Sequence, residues 1–289
     1  MTKTLARATD YLSIFKPRIV ALLVIVALAT AVVNMGGQIA YGRLAWLALA
    51  GAMASAGASV LNNCIDGDID GVMGRTRSRP LPNRRFDRKK AAWMGFVLLA
   101  LSAAAAVRLG YVVAVFVLSG AAVYVVLYTL WLKRRSQANI IVGGLSGSCA
   151  VLAGWFSAGD QVTLTPVLIA LLLFLWTPGH FWSFAMVHRE SYRQAGIPML
   201  PVVAGERKTA WNILLYSSLV ILVSGFIYFS VPFGRIYLAG VLALAGAFLA
   251  TNLRLWLKPE RSRAWSNYKL SGIYLLGLFV AMTLDVIVR

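Results

Sequence analysis

The sequence predicts an all-α, polytopic membrane protein with nine transmembrane helices. Three observations lead there. Hydrophobic residues make up 60% of the 289-residue chain and the mean hydropathy is +0.74, which excludes an ordinary soluble globule. Apolar runs recur at the length that crosses a bilayer, about 20 residues per helix. Lys and Arg gather in alternate connections between those runs, as positive charge does on the cytoplasmic side of a membrane.

Taken in order, the first run, 19–34, follows Lys16-Pro17-Arg18 and closes on Asn34-Met35-Gly36-Gly37. The second, 44–64, ends in a cluster of acids, and 91–107 and 110–132 follow the basic stretch after it. The run 139–158 comes after Lys133-Arg134, and 163–187 contains Thr177-Pro178-Gly179-His180. After a second polar connection come 210–231, 235–257 and 268–288. Pro178-Gly179 should bend or loosen its helix, freeing backbone groups that must face protein or a cavity.

The charges predict an orientation. Of the 28 Lys and Arg residues, 24 fall in the N-terminus and in the connections after spans 2, 4, 6 and 8. Arg43, Arg108, Arg235 and Arg289 lie on the other side. The N-terminus is therefore expected in the cytoplasm and the C-terminus outside. This bias accounts for most of the net charge of +18 without nucleic-acid binding. Cys64 and Cys149 show no zinc-ligand spacing or disulfide framework. The first apolar segment lacks a small-x-small cleavage site and the N-terminus lacks the Ser-rich, acidic-poor character of an organelle import sequence, so a bacterial inner (plasma) membrane is the expected location. The chain reads as a single membrane-embedded domain, 1–289. Its chemistry is expected in two long cytoplasmic segments, about 62–90 and 180–209, since long loops in compact proteins are usually functional.

In the first segment, Asn62, Asp66 and Asp70 are spaced four apart, which stacks them on one helix face, with Asp68 opposite. Their oxygens suit magnesium, often shared with phosphates. A cation would also offset the repulsion of acids from a helix C-terminus. The alternative is a solvated acidic helix end balanced by neighbouring arginines. A calcium loop lacks its twelve-residue pattern with a closing Glu. Arg75, Arg77 and Arg79 suit diphosphate oxygens, while Arg84, Arg85, Arg88, Lys89 and Lys90 fit contact with anionic lipid better.

The pattern Asn62-x3-Asp66-x3-Asp70, followed by Arg75-Thr76 and Arg79-Pro80-Leu81, resembles the UbiA superfamily of intramembrane prenyltransferases. That resemblance implies a UbiA-like arrangement of the helices around a central cavity, with magnesium and a prenyl diphosphate bound at the acids.

The second segment runs Thr177-Pro178-Gly179-His180-Phe181-Trp182, then through Tyr192 to Ala195-Gly196-Ile197-Pro198-Met199-Leu200-Pro201-Val202-Val203. On placement alone, His180 is either an aromatic-flanked group that meets a substrate or an imidazole bonded to a freed carbonyl. His188 reads as an interfacial residue. The block is similar to the haem O synthase branch of the superfamily, as are Lys16-Pro17-Arg18, Lys133-Arg134, Asn139 and Gly143-Gly144. Departures stand at Gly67, where that branch usually has Arg, at Gly74 (Glu), near Ala150-Val151 (a Pro pair) and at Ser191 (Asp).

The resemblance implies transfer of a farnesyl group from farnesyl diphosphate to a vinyl group of haem B, with addition of water, giving haem O and diphosphate. It implies Asn62, Asp66, Asp70, Arg75 and Arg79 as catalytic residues, the first three holding Mg2+. Lys133, Arg134, His180, Trp182, Glu190, Tyr192 and Arg193 are implied as substrate-binding, and Arg193, Arg207 and Lys208 are placed to meet the propionates. Aromatics such as Trp155, Trp176 and Tyr128 read as packing or interface residues. A haem A synthase is the partner to expect. Two other readings stay open: a relative prenylating an aromatic or quinone precursor, and a transporter. The first usually has a second DxxxD motif in the later loop, where Glu190 is the only acid between His180 and Glu206. The second would place polar residues at the bilayer midplane in broken helices.

Overall fold

The computed structural model describes residues 8–289. The expected cytoplasmic placement of the N-terminus concerns residues 1–7, outside the described residues. Among the described residues, nine helices are long and apolar enough to cross a membrane: α1 (Pro17–Asn34), α2 (Tyr41–Ile65), α3 (Arg88–Val107), α4 (Tyr111–Leu132), α5 (Asn139–Ala158), α6 (Leu164–Val187), α7 (Gly205–Ser230), α8 (Arg235–Leu257) and α9 (Arg261–Val288). A short helix, Ala8–Phe15, precedes them, and Gly67–Val72, Arg189–Gln194 and Leu200–Val203 lie in the two long connections.

Each long helix packs on the next in chain order, and α9 returns to α1, closing a ring. Contacts of α1 with α5 and of α6 with α9 cross it. Two apolar cores follow: one draws on α1 and α5 through α9, with Trp155, Ile169, Phe248 and Phe279, the other on α1 through α5, with Leu47, Ala50, Ala106 and Val117. Small residues bring the backbones together, as in membrane helix pairs generally. A Cβ on Gly154 would stand 2.2 Å from the Ala27 carbonyl oxygen, and one on Gly57 would stand 2.8 Å from that of Gly95. On the outside, Leu222, Phe229, Leu242 and Val115 stay exposed, an apolar surface suited to lipid.

Two helices begin more than a turn ahead of their apolar runs. α7 starts at Gly205 and α9 at Arg261, ahead of the expected 210 and 268, because hydropathy detects the membrane-buried part and the polar first turns continue the same helix. α4 changes winding midway. Over Val123–Leu132 it is a π-helix, and the Lys133 N–H donates to Tyr128 O (2.8 Å) five residues back. Such wide turns concentrate at functional sites. α6 keeps its helical register through Pro178 to Val187. The discontinuity is local, because the ring removes one donor while Thr177 Oγ1 donates to Leu173 O (2.8 Å) and Ser183 Oγ to Gly179 O (2.8 Å).

At the end remote from the long connections, Asp285 is buried and accepts from the N–H groups of Gly234 (2.6 Å), Ile236 (3.1 Å) and Tyr237 (3.1 Å), with Arg289 beside it (2.7 Å). It caps the start of α8 from α9. By alternation, the ends of α2, α4, α6 and α8 and the starts of α1, α3, α5, α7 and α9 meet at the opposite end.

Candidate functional site

Asn62, Asp66 and Asp70 are buried at that end. The Asp66 N–H donates to Asn62 O (2.9 Å) and the Asp70 N–H to Asp66 O (2.8 Å). These bonds carry the four-residue spacing across the junction of α2 with the following short helix, so the three side chains share a face. A cation meets each: Lys16 at Asn62 Oδ1, Lys133 at Asp66 Oδ2, and Arg79 at Asp70 Oδ2 (2.8 Å). Asn62 Nδ2 donates to Asp66 Oδ2 (2.8 Å) and Thr129 Oγ1 (3.0 Å), while Lys16 also donates to the Tyr124 hydroxyl (3.0 Å). Charges buried this far from water must be paired.

Local backbone geometry aims these cations. Lys16 has φ +53°, a left-handed conformation uncommon for a side-chain-bearing residue, and it directs the ammonium inward just ahead of Pro17. The π-turns of α4 deliver Lys133 and stack Tyr124 on Tyr128 (5.8 Å). Asp66 Oδ1 is buried with no hydrogen-bond partner. A buried orphan carboxylate oxygen beside Asn62 and Asp70 fits a hard divalent cation, which takes oxygen ligands. Among the described residues no cluster of three His, Cys, Asp or Glu forms, so two carboxylates and an amide are the protein donors on offer.

The three arginines of the first connection diverge. Arg79 joins Asp70, and also reaches Asn63 Oδ1 (3.3 Å). Arg77 lines a shallow surface depression with Gly71, Ser78 and Asn83. Arg75 lies 5.2 Å over the Phe184 ring, and its charge acts on the Tyr192 phenol. Tyr192 is buried against Ile69 and Met73, which joins the two connections. Burial pushes its phenol above the ordinary range, with Arg75 acting in the opposite direction, so it stays protonated.

The second centre is built by α6 and α9. His180 stacks on Trp176 (4.2 Å) and meets Tyr268 at a tilt (4.4 Å). Ser271 Oγ donates to Tyr268 O (2.8 Å), and His180 Nδ1 lies 2.6 Å from that same oxygen. A hydroxyl whose proton is used must accept, so Nδ1 carries the imidazole proton and Nε2 keeps its lone pair. Trp176 Nε1 donates to Ser271 O (2.8 Å), and Asn267 Nδ2 to Ser183 Oγ (3.0 Å).

Other expected residues lie elsewhere. Arg134 forms a two-point bond with exposed Asp68 (2.7 and 2.8 Å), on the face away from Asp66. Arg134 holds the Asp68 carboxyl down at about 2. Glu190 and Arg193 pair with each other (2.7 Å), more than half exposed, and that contact holds Glu190 below its usual range. Trp182, two residues and over half a turn from His180, is buried against Tyr216 (5.2 Å) with Nε1 unpartnered. The sequence reading undervalued Lys16 and Tyr128, and missed Tyr124, Thr129, Tyr268 and Ser271. The signal was a polar i, i+4 pair, Asn267 and Ser271, facing the i, i+3 pair His180 and Ser183. Gly67 and Gly74, where departures were noted, have open space around a prospective Cβ.

The profile of the UbiA prenyltransferase family matches residues 22–277. The chain is 39% identical to a protoheme IX farnesyltransferase of Symbiobacterium thermophilum, over 96% of this chain and 94% of that protein. It is 38% identical to a protoheme IX farnesyltransferase of Chloroflexus aurantiacus over 96% of this chain, and spans 47% of that longer protein. Among solved structures, a digeranylgeranylglyceryl phosphate synthase superposes with a TM-score of 0.81 at 19% identity, covering 97% of this chain and 99% of that one. A UbiA homolog from Archaeoglobus fulgidus bound to DMAPP and Mg2+ gives 0.68 at 18% identity, covering 95% and 99%. These structural likenesses concern the fold.

Proposed function

The chain belongs to the UbiA prenyltransferase family, and we propose that within it the protein transfers the farnesyl group of farnesyl diphosphate to protohaem IX, giving haem O. The observation that carries this reading is the pairing of two unlike centres at one end of the ring. One is the Asn62–Asp66–Asp70 row ringed by Lys16, Arg79 and Lys133. The other is an aromatic wall around His180. The near-full-length likeness to a protoheme IX farnesyltransferase supports the choice of acceptor.

Asn62, Asp66 and Asp70 would hold Mg2+, leaving coordination positions for diphosphate and water. A magnesium ion there supplies Lewis-acid neutralisation of the leaving group. Lys16, Arg79 and Lys133 donate to the diphosphate oxygens as the allylic C–O bond breaks, stabilising the negative charge that develops. Tyr124 and Tyr128 line the path beside them and keep bulk water from the allylic cation. The vinyl carbon of the acceptor bonds to that cation. The positive charge then rests on the carbon next to the macrocycle, where water adds and loses a proton. His180 presents Nε2 to the acceptor, and Arg75 lies between the centres over Phe184. The segments 62–90 and 180–209 act as the two catalytic parts of one membrane domain. They face the cytoplasm of a bacterial inner membrane, with the C-terminus outside. A haem A synthase, which would consume the product, is the partner this reading implies.

The test is diphosphate release by purified protein in lipid nanodiscs with farnesyl diphosphate and Mg2+. Release should rise on addition of protohaem and be lost in Asp66→Ala. Release indifferent to protohaem would sink the acceptor assignment.

A further inference from the structure

We propose that Arg18, Arg75 and Arg261, in place of the Arg193, Arg207 and Lys208 that the sequence suggests, form a clamp for two carboxylates at one edge of the acceptor, so that the propionates sit at the loop end of the wall and the vinyl edge points inward. This rests on the reading that the acceptor is protohaem.

The three guanidinium groups come from the second residue of α1, the first long connection and the first residue of α9. Among the described residues none of them has a carboxylate within ion-pair distance. Arg79, Arg134, Arg189, Arg193, Arg263 and Arg289, by contrast, each have one. All three are exposed rather than packed away.

They converge on the outer part of the His180 wall. Arg75 lies 5.2 Å over Phe184, whose ring is 4.4 Å from His188 and 5.1 Å from Tyr268. Arg261 lies seven residues before Tyr268 on α9, which is the same helix face. Arg18 opens α1, which packs against α9, the helix that carries Arg261 and Tyr268, and the charges of Arg75 and Arg261 act on His188. Burial first, then those two arginines, holds His188 below its ordinary value. The imidazole is therefore neutral and adds no fourth positive charge.

Three like charges brought to one wall repel one another unless an anion joins them. Guanidinium binds carboxylate through a planar two-point fork. From His180 to His188 the wall extends eight residues, about 12 Å along α6. It is apolar and aromatic at depth and cationic at its mouth. A flat, largely apolar molecule with two carboxylates on one edge matches that gradient.

The test is a Soret-band titration of the full chain in zwitterionic nanodiscs with ferric protohaem IX and with its dimethyl ester. Wild type, Arg18→Gln, Arg261→Gln and Arg261→Lys are compared. Wild type should bind the diacid about tenfold or more tighter than the ester. Each Gln variant should lose most of that preference by weakening the diacid alone, and Arg261→Lys should keep part of it. Unchanged ester binding shows that the variants are folded. Equal affinity of wild type for acid and ester, as when the arginines serve diphosphate or a lipid phosphate, would overturn the clamp. So would a preference that survives both Gln substitutions. If wild type binds neither porphyrin yet releases diphosphate, the haem-acceptor reading falls, and the clamp with it.

Discussion

His180 Nδ1 and Ser271 Oγ lie 2.6 Å apart, and the serine spends its own proton on Tyr268 O. One side chain of α9 thus decides which nitrogen of the α6 imidazole is open. Ser271→Ala frees the ring to turn or to change tautomer and should lower turnover with protohaem about tenfold, the order of a lost positioning contact. Ser271→Thr keeps the hydroxyl and should retain most activity. The Soret spectrum of bound ferric haem should move with Ala and not with Thr. Identical spectra and rates for both variants would show that Ser271 is packing only.

Lys133 and Arg134 are neighbours with opposite surroundings. Lys133 pairs with buried Asp66, whereas Arg134 pairs with Asp68 at the surface. Lys133→Ala should cost about a hundredfold or more in rate, as loss of a charge-stabilising donor does. Arg134→Ala should leave the rate within about twofold, since exposed ion pairs contribute little. The sign of the pH dependence follows from the depressed Asp68 carboxyl, held at about 2. The pair's small contribution to stability is present above the ordinary aspartate range, about 4, and is lost as pH falls toward 2. Single-turnover rates and thermal melts of the two variants check this.

Trp182 should tolerate replacement better than its neighbourhood in the sequence suggests. Its indole N–H is buried without a partner, so Trp182→Phe removes an unsatisfied donor while keeping the ring contact with Tyr216. Turnover is expected within about twofold of wild type, with only a modest shift in melting temperature. A loss comparable to that of Asp66→Ala would place the ring against substrate instead.

Gly154 sets the closest approach of α5 to α1. A Cβ there would meet the Ala27 carbonyl oxygen at 2.2 Å, and backbone cannot step aside as a side-chain tip can. Gly154→Ala should destabilise by about 3 kcal/mol or more, the upper end for overpacking. Gly246→Ala, where a Cβ meets nothing within 4 Å, should be neutral or slightly stabilising. Melting in detergent separates the two, and equal melting temperatures would contradict the packing.

Much of this arrangement is legible in the sequence because the membrane simplifies the reading. Apolar length alone locates all nine spans to within a few residues, apart from the polar first turns of α7 and α9. The four-residue spacing of Asn62, Asp66 and Asp70 translates directly into one buried face. The partners are harder to read. Nothing in Lys133-Arg134 says which of the two turns inward. That is decided by the π-turns before them, and winding leaves no hydropathy signal. Trp182 looks like a site residue by adjacency, but two residues along a helix point it away from His180. Tyr268 and Ser271 go unread because they sit in an apolar run whose register against α6 only tertiary packing sets.

The measurement that tests the central claim most directly is mass analysis of haems extracted from a haem-O-deficient bacterial host carrying this gene, beside an Asp66→Ala control. The account predicts haem O with the wild-type protein and none with the variant. Absence of haem O from cells whose membranes hold folded wild-type protein would contradict it.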